Sequence, residues 1–159
     1  MVNLMEIKQI EKGELMTLMK EYFLEIDRSY INSSDELQYP YLDTYWKDAN
    51  RKPHFIVFNN NKVGFALVND WIVNKEYGAN YSIAEFYVKP EYRRKKIGQK
   101  TVRALFKQFR GKWEIRQSAS NLLGIEFWRT VINQLTNGNY KEEILSIDDE
   151  IVYIQNFEV

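Results

Sequence analysis

One stretch narrows the fold more than any other. Between residues 81 and 119 the spacing of apolar residues changes period and then changes back. "YSIAEFYV", 81–88, reads as a strand and is stopped by Pro90, which cannot continue a ladder. From Ile97 the period is helical: Val102, Leu105, Phe106 and Phe109 share one face, and Gly111 ends the element. "WEIRQSA", 113–119, is a strand again. Strand, helix and strand in this order predict a right-handed crossover between parallel strands, and so a mixed α/β domain.

The rest of the chain fits around that unit. Residues 4–9 read as a short strand. Leu15, Leu18, Met19, Tyr22, Phe23 and Ile26 form the stripe of an amphipathic helix. Residues 29–40 read as a loop, and 41–49 as a second short helix or a set of aromatic loop anchors. "HFIVF" and "VGFALVN", joined by "NNNK", predict a hairpin over 54–69, because Asn tolerates the left-handed conformation of tight turns. Ser120 or Asn121 can cap a helix whose face is Ile125, Trp128, Val131, Ile132 and Leu135. Two closing strands flank a turn at Asp148–Asp149. The expected order is β-α-α-β-β-β-α-β-α-β-β in a single domain, 1–159, with no repeat or linker.

Composition excludes several chemistries. Lys plus Arg and Asp plus Glu each number 22, which argues against a general nucleic-acid binder. There is no cysteine, so disulfides, thiolate metal sites and a thiol nucleophile are excluded, and His54 is the only histidine. No apolar run reaches membrane-spanning length and the N-terminus lacks a signal-peptide pattern. The expectation is a cytoplasmic protein without nucleic-acid or membrane partners.

Arg93, Arg94, Lys95 and Lys96 are consecutive and Gly98 follows. They sit where a strand has ended and a helix begins. The first turn of a helix offers N–H groups with no intrahelical partner, together with the positive end of the peptide dipoles. A basic, glycine-bearing loop there suits a phosphate group. A solvated basic turn is the other reading of the run alone.

The wider context resembles a known family. "FYVKPEYRRKKIGQKTVRALF" is similar to the acyl-CoA-binding segment of the GNAT N-acetyltransferases, matching through Val88, Pro90, Tyr92, Arg93 and Gly98. Lys96 stands where that pattern has its first glycine. "SASNLLGIEFWRTV" resembles the family's N-x-x-A-x-x-F-[YW] helix through Asn121, Phe127 and Trp128, with Gly124 in place of Ala. The resemblance implies the GNAT acyl-CoA N-acyltransferase fold, a mixed and mostly antiparallel sheet with a central splayed pair of parallel strands flanked by helices. It implies acetyl-CoA as cosubstrate, with the pantetheine arm between strands 83–88 and 113–118. Backbone groups of Phe86, Tyr87 and Val88 would bind pantetheine. Arg93 and the amides of Arg94, Lys95, Lys96, Ile97, Gly98, Gln99 and Lys100 would hold the pyrophosphate. Asn121 would contact the cosubstrate arm, and Phe127 and Trp128 would pack near it or serve as ordinary core.

The reaction so implied is direct acetyl transfer to a primary amine. An amine near neutral pH is protonated and needs a base. Glu85, inside the apolar run "IAEFYV", is the candidate; strand alternation could equally turn it to solvent or to an arginine. Trp128 occupies a position where many members carry Tyr, so the general acid falls to Tyr140, Tyr87 or water. Carboxylates among the aromatics of residues 20–50 suit a small-molecule or peptidyl amine, and they suit an amphipathic helix with a charged outer face equally well. Two rival readings stand: a non-catalytic acyl-CoA-binding or sensor domain of the same fold, and a nucleic-acid surface over 93–112. Exposed C-terminal strands would allow a homodimer.

Overall fold

A computed structural model describes residues 1–159. The strands are β1 (Val2–Glu6), β2 (Lys52–Phe58), β3 (Asn61–Asn69), β4 (Tyr81–Val88), β5 (Lys112–Ser118), β6 (Lys141–Ile147) and β7 (Glu150–Glu158). The helices are α1 (Lys12–Ile26), α2 (Ile97–Gln108) and α3 (Leu122–Thr136). Strand order is β1-β2-β3-β4-β5-β7-β6, with β4 and β5 parallel and the other neighbours antiparallel. The parallel ladder pairs Tyr81 with Trp113 and Ser82 with Glu114; β4 then continues to Val88 and β5 to Ser118.

The chain forms two compact units, Met1–Val68 with Ala84–Ile97, and Asn69–Ile83 with Gly98–Val159. In the first, α1 buries Leu15, Leu18, Met19 and Phe23 against Phe55, Phe65, Leu67 and Tyr87. The opposite face of β4 places Val88 with Ile56, Val63 and Ile97. β2 and β3 join through Asn59 (φ 49°) and Asn60 (φ 66°), the two left-handed residues that such a turn requires.

In the second unit, Trp113 is fully buried beneath Phe106, 4.7 Å between ring centroids, and its indole N–H donates to the Phe109 carbonyl at 2.9 Å. Phe157 packs on Phe106 at 5.1 Å. Each such side chain contributes roughly 2–3 kcal/mol by burial. α3 presents Ile125, Trp128, Val131 and Ile132 inward. Asp148 (φ 50°) and Asp149 (φ 66°) make the β6–β7 turn at the expected place.

Two elements differ from the sequence expectation. The first strand is Val2–Glu6 rather than 4–9: the Ile7 amide still donates in register to the Pro53 carbonyl at 3.0 Å, but Pro53 has no N–H to return the bond, and a 3₁₀ turn begins at Gln9. Residues Leu42–Trp46 form a 3₁₀ segment instead of a second α-helix. Pro40 precedes it, and its bonds run from Thr44 N–H to Tyr41 O and from Lys47 N–H to Thr44 O. That period of three places Leu42 and Tyr45 on one buried side.

Candidate active site

Glu85 lies on the face of β4 that also carries Ile83 and Tyr87, as a period of two requires. It is half-buried, and the Tyr22 and Tyr39 hydroxyls face its carboxylate as hydrogen-bond donors. Desolvation outweighs those two bonds, and Asp27 adds like-charge repulsion. The carboxyl is therefore pushed up to about 7 from its ordinary 4.5. The phenols answer in kind: burial, then the charge of Glu85, raises both Tyr22 and Tyr39 above the usual phenol range.

The phenols are held by packing. Tyr22 lies 5.6 Å from both Phe65 and Tyr87, ring to ring. Tyr39 stacks 5.7 Å from Phe23, which stacks 4.2 Å from Tyr30. The loop that presents Tyr39 is closed by an Ile31–Leu37 bridge and by Asn32 Oδ1, which accepts from the amides of Ser34 and Glu36. Carboxylates Glu21 and Glu25 stand nearby on α1; Tyr87 donates to Glu21 at 3.5 Å.

The basic loop follows β4. Pro90–Tyr92 make a 3₁₀ turn, and the Arg93 amide donates to the Pro90 carbonyl at 3.1 Å. Arg94 (φ 63°) and Lys96 (φ 60°) are both left-handed and bracket Lys95. The amides of Arg94, Lys95 and Lys96 donate to no backbone carbonyl. A chain curled in this way turns successive N–H groups inward, the backbone arrangement that binds anions. α2 begins at Ile97, so Gly98, Gln99 and Lys100 occupy its first turn. The side chains of Arg94, Lys95 and Lys96 are exposed. Donor set and curvature together fit a diphosphate.

Arg93 behaves differently from its neighbours. Its guanidinium turns back onto Glu25 and the Val88 carbonyl.

Asn121 caps α3, its Oδ1 accepting from the Gly124 amide at 3.0 Å. A Cβ at residue 124 would lie 2.3 Å from Asn121 Nδ2, so an alanine there would require the asparagine side chain to shift. Phe127 and Trp128 meet edge to face at 5.1 Å, with Trp128 buried in the stripe of α3. Tyr140 sits half-buried after the Asn137–Gly138 turn, close enough to Arg129 to act on its charge. It belongs to the second unit, Glu85 to the first. His54 is buried and held neutral by desolvation, a structural residue of β2. No helix is long and apolar enough to cross a membrane.

The pattern that defines the Acetyltransferase (GNAT) family matches residues 15–130. The chain belongs to the GNAT acetyltransferase family. Acetyl-CoA is the cosubstrate of that family. Among solved structures, this GNAT chain is similar to the aminoglycoside acetyltransferase AAC(6′)-Ib in complex with coenzyme A, with a TM-score of 0.73 and 16% identity over 99% of this chain and 95% of that one. It is similar also to a spermidine N-acetyltransferase chimera of Vibrio cholerae SpeG and hSSAT, at TM-score 0.66 and 16% identity over 99% and 94%. A domain from Methanocaldococcus jannaschii gives 0.67 and 18% over 99% of each chain. At these identities the likeness is one of fold. No curated protein matches the sequence.

The tyrosines around Glu85 were missed as a group by sequence reasoning. Tyr22 and Tyr39 lie far from residue 85 in the chain and read as a core stripe and a loop. Their only common signal was the density of aromatics and acids before residue 50.

Proposed function

We propose that this GNAT protein is an N-acetyltransferase that moves the acetyl group of acetyl-CoA to the primary amine of a small cationic acceptor by direct attack. Glu85 carries the reading: a carboxylate placed by desolvation at about 7, on a central strand, is half-ionised where a general base works best. It takes the proton of the attacking amine. The amine nitrogen then bonds to the thioester carbon, the C–S bond breaks, and the released CoA sulfur takes up a proton. Tyr140, Tyr87 or water supplies that last proton and is reprotonated by the second proton that the nitrogen sheds as the amide forms.

Backbone groups of Phe86, Tyr87 and Val88 hold the pantetheine arm and offer an N–H to the thioester oxygen, as oriented amides do at other acyl-transfer sites. The diphosphate rests on the amides of Arg94 through Lys100, and Asn121 contacts the arm. The acceptor approaches Glu85 past Tyr22 and Tyr39, where phenol faces and the outlying carboxylates Glu21 and Asp27 favour a cation. Neighbours of the same fold whose names specify aminoglycosides and spermidine support an amine of this kind.

The deciding experiment is release of free CoA thiol from acetyl-CoA on adding a panel of aminoglycosides, polyamines and peptides. Turnover with any one of them, lost in Glu85→Gln, is the expected result. Thermal stabilisation by acetyl-CoA with no thiol release across the panel would instead support a binding or sensor domain. In a separate variant, Gly98→Asp is expected to abolish CoA binding by placing a negative charge in the first turn of α2.

A further inference from the structure

Charge alone would assign Arg93, the first of the basic run, to the anion. Its contacts point elsewhere. Nε donates to the Val88 carbonyl at 2.8 Å, and Nη1 and Nη2 donate to the two Glu25 oxygens at 2.7 and 2.8 Å. The guanidinium carbon stands 5.6 Å from the centre of the Tyr87 ring. One planar fork thus joins the last residue of β4, the start of the loop and the end of α1, a set of contacts that an ammonium could not reproduce.

Glu25 needs a partner there. It lies in the last turn of α1, beside carbonyls that carry the negative end of the helix dipole, and that turn contains no basic residue. Arg93 supplies the missing cation from 68 positions further along the chain. The two side chains are 41% and 42% exposed, so the ion pair contributes little to global stability. Its effect is local. The loop beyond it holds Arg94 and Lys96 in a left-handed conformation that costs free energy in non-glycine residues, and so needs an anchor to stay in that shape.

We propose that Arg93 is a positioning residue, and that Glu25 fastens it so that the Arg94–Lys100 backbone is already curled when the diphosphate arrives. The proposal rests on the reading of that loop as the coenzyme A site. It carries an unusual sign: an acidic residue beside an anion site strengthens anion binding. If Arg93 contacted the diphosphate directly, removing Glu25 would free the guanidinium and delete a repulsive charge, and affinity would rise.

Titration calorimetry with coenzyme A separates the two cases. Glu25→Gln is expected to weaken binding at least tenfold, as are Arg93→Gln and Arg93→Lys, while the thermal midpoints stay near that of wild type. Glu25→Asp keeps the charge but shortens the reach, and is expected to weaken binding as well. Equal or tighter binding in Glu25→Gln or Glu25→Asp overturns the positioning role while leaving the site intact. Absence of binding in the wild-type protein overturns the reading of the loop itself, and the positioning role with it.

Discussion

Tyr87 carries its carbonyl oxygen into the space that a side chain at residue 64 would fill: a Cβ on Gly64 would lie 2.0 Å from that oxygen and 3.1 Å from the Val88 Cα. Both neighbours are backbone, so neither can swing aside. The close approach coincides with a register shift in the β2–β3 ladder, where Gly64 pairs with Ile56 and Lys62 with Val57. It fixes the part of β4 that the proposed chemistry uses to orient the thioester. Gly64→Ala is expected to destabilise the protein by about 3 kcal/mol, the upper end of overpacking effects. It should also cost affinity for coenzyme A, measured well below the unfolding transition. Gly13→Ala is the control. Nothing lies within 4 Å of a Cβ there, and an alanine in α1 should add about 1 kcal/mol in urea denaturation.

The raised Glu85 carboxyl makes a claim on stability as well as on rate. The folded state holds this proton up to about pH 7, whereas the unfolded chain releases it near 4.5. Between those values the native protein binds more protons, so this group's contribution falls as pH rises, reaching its full cost above about 7. Below 4.5 the acid is neutral in both states and costs nothing. Glu85→Gln should therefore match wild type in urea melts at pH 4 and exceed it at pH 8, by at most about 3 kcal/mol. Activity should run the other way. Wild-type kcat/KM is expected to rise through about pH 7, and the variant should lose roughly 10²–10⁴-fold with that rise abolished.

Local chemistry wrote much of the fold into the sequence. Asn59–Asn60 and Asp148–Asp149 sit at their turns because left-handed pairs favour short polar side chains. The period change at Pro90 and Ile97 marked the end of β4 and the start of α2 within a residue or two. Relationships made across the fold were not legible. Nothing near residue 93 announces Glu25, and nothing near 85 announces Tyr22 or Tyr39. The amides of Arg94 through Lys100 were legible as phosphate donors from their place at a helix start; the left-handed turns at Arg94 and Lys96 and the return of Arg93 onto Glu25 were not.

Glu114 is such a tertiary relationship, and a strong one. Its side chain is fully buried on β5, yet it accepts from the Val73 and Asn74 amides at 2.8 Å each and pairs with Arg116. Arg116 also donates to the Trp71 carbonyl at 3.1 Å and stacks 4.8 Å from the centre of the Trp71 ring. One carboxylate thus organises the segment between β3 and β4. Glu114→Ala would leave two amides and a guanidinium without their acceptor in a buried place. A loss of about 3–5 kcal/mol is expected, read by chemical denaturation. Proteolysis should begin between residues 71 and 77, and equal protease resistance of that segment would show that other contacts hold it.

Lys96 tests whether backbone or side chain binds the anion. Its φ of 60° is the conformation a glycine takes freely, and the lysine holds it at a cost of roughly 1–2 kcal/mol. Lys96→Gly removes that cost but enlarges the freedom of the unfolded chain, which offsets about 0.5–1 kcal/mol. The midpoint of unfolding should stay level or rise slightly. The deleted ammonium, at roughly 6 Å from a phosphate in water, contributes only about 0.7 kcal/mol of attraction. Affinity for coenzyme A should therefore drop by about threefold. Calorimetry at two salt concentrations checks this, because the lost part is the part that salt screens. A fall of two orders of magnitude would mean that the lysine side chain, and not the curled row of amides, holds the diphosphate.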